Sequence, residues 1–212
     1  MADRQPTNVV AARTAVEARL AGDGRLSESD AAALLASTDL SWLGGLADRA
    51  RTAAVGDRVA FSPADPPADA VVLRYGRDDP DGTARALLAL RDAADAEPAR
   101  QVVLVRTGAE PLVAPAESML LSAVARLVLD NVADLACDLA SHPAATAELM
   151  LHFGTSALLV PFADFDADDI ATLISDAGFR PVRVGPDGAE LRDYGPAVPQ
   201  AQRRAEPQSV FA

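Results

Sequence analysis

The sequence predicts an α/β fold, and three observations carry that reading. Short apolar runs at 70–75, 101–106 and 157–162 are bounded by Gly, Pro or polar residues, as buried strands are. Between them lie segments with helical spacing of Leu and Ala. From about residue 70 the two kinds alternate, which predicts a mainly parallel sheet with helices over it.

Ahead of that region the chain reads as helical. Residues 6–21 form a helix capped by Thr7 or Asn8, and Gly22-Asp23-Gly24 ends it. Ser27 caps a second helix over 27–37, with Asp30 three residues on as a capping-box partner. A third helix over 40–54 places Leu40, Leu43, Leu46 and Ala47 on one face. Gly56-Asp57 turns the chain into a short strand at 58–62, and the Pro-rich stretch 62–69 is a connector.

Beyond the strand at 70–75 come a helix at 79–96, the strand at 101–106, a loop at 110–115 and an apolar helix at 116–129. A short strand at 135–139 is followed by a helix at 144–153, stopped by Gly154. The strand at 157–162 leads to a helix at 166–177 with Gly178 in the position that favours a left-handed residue. Residues 180–193, with Gly-Pro-Asp-Gly between two short runs, read as a terminal hairpin. The organisation is thus a helical leader (1–61), a connector (62–69), a strand–helix region (70–195) and a polar, mobile tail (196–212). About four strand–helix units correspond to half of an eight-stranded barrel, so the expected architecture is a truncated TIM-type barrel of about four parallel strands.

Composition narrows function. Half of the residues are apolar but only 4% are aromatic, so the core is built from Ala, Val and Leu. The net charge of −12 repels phosphate backbones and anionic membrane surfaces, and no nucleic-acid or membrane partner is expected. All 19 basic residues are Arg, which fits a GC-rich genome and removes Schiff-base and phosphate-loop lysine chemistry. One cysteine, Cys137, excludes an internal disulfide and fits a reducing cytosol. The opening residues lack a signal peptide's apolar run, and no apolar stretch approaches the ~18 residues of a membrane span, so the expected location is cytoplasmic.

Three segments taken together resemble the radical-SAM enzymes of the futalosine route to menaquinone: aminofutalosine synthase, dehypoxanthine futalosine cyclase and the related deazaflavin-cofactor synthase. They are residues 26–61 (LSESDAAALLASTDLSWLGGLADRARTAAVGDRVAF), residues 71–93 (VVLRYGRDDPDGTARALLALRDA), and residues 123–159 followed by ISDAGFRPVRV at 174–184. The run AVARLVLDN, residues 123–131, is the most specific piece. In that family the leader runs into a C-x-x-x-C-x-x-C loop holding a [4Fe–4S] cluster, then into strands that hold S-adenosylmethionine. Here the leader ends at Phe61 and the connector passes straight to Ala70; the cysteine triplet and the early barrel strands have no counterpart. His152-Phe153-Gly154 matches a later family segment, but Thr155 to Leu159 departs from it.

The resemblance therefore implies a catalytically silent pseudoenzyme with no cofactor. It would act as a homodimer, or as partner or regulator of a full-length radical-SAM relative in the menaquinone pathway. A small-molecule binder keeping part of a nucleoside-like or menaquinone-precursor pocket is the alternative. An enzyme with new, cluster-free chemistry would need a convergent acid–base set that the sequence does not display.

Tyr75, Arg77 and Arg126 are the candidate ligand contacts, because Tyr75 and Arg77 stand at the end of a strand, where such barrels face their ligands. No catalytic residue is assigned, and no metal site. His142 and His152 have no metal spacing; His142, before Pro143, reads as a helix-start residue and His152 as one packed at a helix end. Asp164, Asp166, Asp168 and Asp169 lack the turn glycine and closing Glu of a calcium loop, and Asp166 reads as a helix cap. Cys137 reads as a small buried filler.

Overall fold

A computed structural model describes residues 6–22, 24–64, 70–75, 79–97, 101–106 and 115–198. Arg77, most of the connector, much of the loop ahead of residue 115 and most of the tail lie outside the described residues.

The element order is α1 (Pro6–Ala21), α2 (Glu28–Leu35), α3 (Leu40–Val55), β1 (Arg58–Pro63), β2 (Val71–Tyr75), α4 (Pro80–Ala96), β3 (Gln101–Arg106), α5 (Pro115–Val128), β4 (Asp134–Asp138), α6 (Ala144–Leu151), β5 (Ala157–Val160), α7 (Ala167–Asp176), β6 (Arg180–Val184) and β7 (Glu190–Asp193). α1 starts at Pro6, so Thr7 and Asn8 lie inside the helix rather than capping it; the fixed φ of proline suits a first helical position. Ser27 caps α2 as expected, and both bonds of the capping box with Asp30 are formed. Ser27→Ala is expected to cost about 1 kcal/mol of stability, read as a lower urea midpoint at unchanged slope.

The strands form one seven-stranded sheet in the order β2-β3-β4-β5-β1-β6-β7. The expected count of about four parallel strands is too low. β1 to β6 are all parallel, and only β7 runs antiparallel, closing the predicted hairpin on β6. The two unexpected parallel members are β1 and β6, which pair through the register Arg58↔Arg180 to Phe61↔Arg183. β1 joins the sheet interior because both of its faces are buried: Val59 and Phe61 point one way, Ala60 and Ser62 the other.

Strand alternation divides the core cleanly. Leu73, Leu104, Cys137, Leu158 and Phe61 belong to one large cluster that takes in side chains from all seven helices. Ala60, Val103, Ala136, Ala157, Leu159 and Val182 form a second cluster on the opposite face, to which no described helix contributes. Helices on one face only, with small side chains filling the other, distinguish this sheet from a doubly wound one, which is covered on both faces.

Candidate functional site

In parallel α/β proteins ligands gather at the carboxyl ends of the strands. Tyr75 is the last residue of β2, and its side chain points to the helix-covered face. Its hydroxyl lies 2.6 Å from His142 Nε2 and 3.1 Å from Ser118 Oγ. The two rings stack at 6.0 Å with an interplanar angle of 26°.

His142 is delivered by the turn after β4, where its own N–H and that of Ser141 both donate to the Asp138 carbonyl. Its Nδ1 sits 3.0 Å from that carbonyl oxygen and 3.0 Å from Ser141 Oγ. Ser141 Oγ also accepts from the Arg106 N–H at the end of β3. The network thus ties the ends of β2, β3 and β4 to α5 through Ser118.

Burial sets its chemistry. Tyr75 and His142 are 4% and 3% exposed. Removal from water pushes the Tyr75 hydroxyl pKa up and the His142 pKa down, so both are neutral near pH 7. A neutral, solvent-shielded Tyr–His pair is a lock between elements.

The pair does give a pH dependence. The folded-state pKa of His142 lies below its unfolded value, so the unfolded chain binds the extra proton first as pH falls. Its contribution to stability is complete above the unfolded pKa and is lost progressively below it. The urea midpoint is expected to drop between about pH 7 and about pH 5, and His142→Phe should remove that part of the drop.

Arg126 stands at the other pole. It is 4% exposed, on α5, beside the starts of β4 and β5. Its Nε donates to the Gly154 carbonyl at 2.9 Å, Nη1 to the Val132 carbonyl at 3.0 Å, and Nη2 to the Ala133 carbonyl and Ser156 Oγ, each at 3.2 Å. Burial lowers its pKa to about 10. Tyr75 and Arg126 are therefore not brought together: one closes the carboxyl ends of the strands, the other the amino ends.

The rest of the 123–131 run has similar tasks. Asp130 accepts two hydrogen bonds of 2.9 Å from Arg25, which also grips Asp95 of α4. Asn131 Nδ2 donates to the Arg91 carbonyl and to Asp95, each at 2.8 Å. The leader, α4 and the turn that follows α5 thus meet at one polar node.

Cys137, the chain's one thiol, is fully buried on β4, with Sγ 3.7 Å from Met150 Sδ, and burial pushes its pKa up. A [4Fe–4S] cluster needs three or four thiolates converging on one site, so these residues do not fit that group. Among the described residues no three His, Cys, Asp or Glu side chains are placed to hold a metal ion. Asp166 caps α7, accepting from the Asp168 N–H at 2.7 Å, and Asp168 pairs with Arg192 at 3.0 Å. No described helix is long and apolar enough to cross a membrane.

Sequence reasoning missed the Tyr75–His142 pair and the hub role of Arg126. Residues 75 and 142 come together only through the pairing of β2, β3 and β4, which no local motif announces. No family model matches the chain, and no curated protein matches it.

Proposed function

We propose that this chain is a catalytically silent relative of the futalosine-pathway radical-SAM enzymes, built on an arc of their barrel. In this reading it acts in the cytosol as partner or regulator of a full-length relative.

The observation that carries the reading is the strand order. In a closed eight-stranded barrel the first strand lies beside the last. The arc β2-β3-β4-β5-β1 has that cyclic order with the early strands removed. The deletion falls between Phe61 and Ala70, where the resemblance also breaks. β6 and β7 then occupy the side of β1 where the second barrel strand would lie.

Two further features support a curled arc. The seven described helices all pack on one face of the sheet, as in a barrel. The stretch between the end of β1 and the start of β2, residues 64–70, is also short. Its reach of about 27 Å barely exceeds the roughly 25 Å from the end of β1 across four strands of a flat sheet and back along one strand. Curling shortens that path.

An arc leaves an edge. β2 pairs with β3 on one side, and Val72 and Arg74 are exposed on it. A second copy or a full-length relative would cover it. The test is co-expression with the full-length futalosine-pathway enzyme of the same genome, followed by gel filtration. Co-elution in one stoichiometric peak is expected; separate elution at about ten micromolar, a concentration that fills any interface of ordinary affinity, would overturn the partner role.

A further inference from the structure

We propose that the open groove between α1, α3 and α5 binds an amphipathic carboxylate, an apolar chain ending in one carboxyl group. The groove has a volume of about 830 Å3, within the range of small-molecule sites. Leu20, Leu46, Ala50, Ala53, Leu127 and Leu129 supply its apolar lining. The proposal does not depend on the pseudoenzyme reading, because the groove is lined by residues of α1, α3, α5 and the turn after α5 and by no strand residue.

The charged side chains that border the groove set the head group. Glu17 accepts a hydrogen bond from Trp42 Nε1 at 2.7 Å. Asp130 is held by Arg25 through two bonds of 2.9 Å. Arg126 spends its donors on backbone carbonyls and Ser156. Arg49, exposed at the same groove, has no ion-pair partner among the described residues.

Asp130 is ion-paired with Arg25, and against the one charge of Glu17 stand the guanidinium groups of Arg49 and Arg126, so the apolar trough is bordered by a positive balance of charge with Arg49 exposed. A guanidinium fork pairs best with a planar carboxylate, and the trough takes the chain. The net charge of −12 works against polyanions, so a ligand with a single negative charge fits best.

Dodecanoate, below its micelle concentration, is the probe. Trp42 is the only tryptophan and is bonded to groove-lining Glu17, so its emission reports occupancy. A saturable 1:1 emission change is expected, matched by calorimetry. Arg49→Ala should weaken binding about ten-fold or more, Arg49→Lys less, and dodecanol should bind correspondingly more weakly than dodecanoate. Ala53→Phe, at an exposed position that leaves the fold intact, should block the groove and abolish binding. The proposal is overturned by the absence of saturable binding, by equal affinity of Arg49→Ala and wild type, by dodecylamine binding as tightly as dodecanoate, or by unchanged binding in Ala53→Phe.

Discussion

Replacing Arg126 with alanine is expected to destabilise the protein by about 3–5 kcal/mol, because it orphans several buried polar groups at once. The guanidinium reaches the carbonyls of Gly154, Val132 and Ala133 and the hydroxyl of Ser156. These lie just before β4 and β5, where the chain has left a helix and not yet entered the ladder. Without Arg126 those groups stay buried and lose a charged donor. Arg126→Lys should recover little, since an ammonium does not reproduce a planar fork.

Gly154 belongs to the same unit. Its φ is +101°, and a Cβ there would lie 2.5 Å from the Arg126 Cβ. Gly154→Ala should therefore be destabilising alone and nearly as much so in the Arg126→Ala background, because the contact with Cβ and the positive φ remain and only the 2.9 Å approach to the Arg126 Cγ is relieved. Urea unfolding of the two single variants and the double variant measures the coupling.

The second large effect is expected at Phe61, where Phe61→Ala should cost about 3–5 kcal/mol. Phe61 is fully buried on β1, an interior strand flanked by β5 and β6, with the rings of Tyr194 and Phe162 at 5.8 and 6.4 Å. The size of the effect reports the position of β1. A strand packed at the margin would lose about 1 kcal/mol on the same truncation, because the site could collapse or admit water. Equilibrium urea unfolding at unchanged slope distinguishes the two.

Much of the fold was legible locally. Ser27 with Asp30, Asp166 before α7, and the Gly-Pro-Asp-Gly turn of the hairpin are short-range devices, and all three form as read. The apolar runs that became β2, β3 and β5 were equally plain: β3 and β5 are buried on both faces over most of their length, and β2, although Val72 and Arg74 are exposed, still shows as a short apolar run bounded by Gly76. β1 was read only as a short strand. Its alternation is broken by Ala60 and Ser62, residues small enough to pass for surface, and its neighbours β5 and β6 are about a hundred residues away.

The polar network was harder to read. Arg126 reads as a candidate ligand contact because its acceptors are mostly backbone carbonyls, which leave no trace in a sequence. His142, before Pro143, looked like an ordinary helix start. Its partner Tyr75 becomes visible only once β2 and β4 flank β3.

The proposed loss of radical chemistry rests on one buried thiol in place of a converging trio. The most direct measurement is anaerobic reconstitution of the full chain with iron and sulfide, followed by gel filtration and iron analysis. The account predicts colourless protein with no stoichiometric iron and no visible cluster band, before and after Cys137→Ala. A brown species that keeps iron and sulfide in cluster stoichiometry through the column would contradict it.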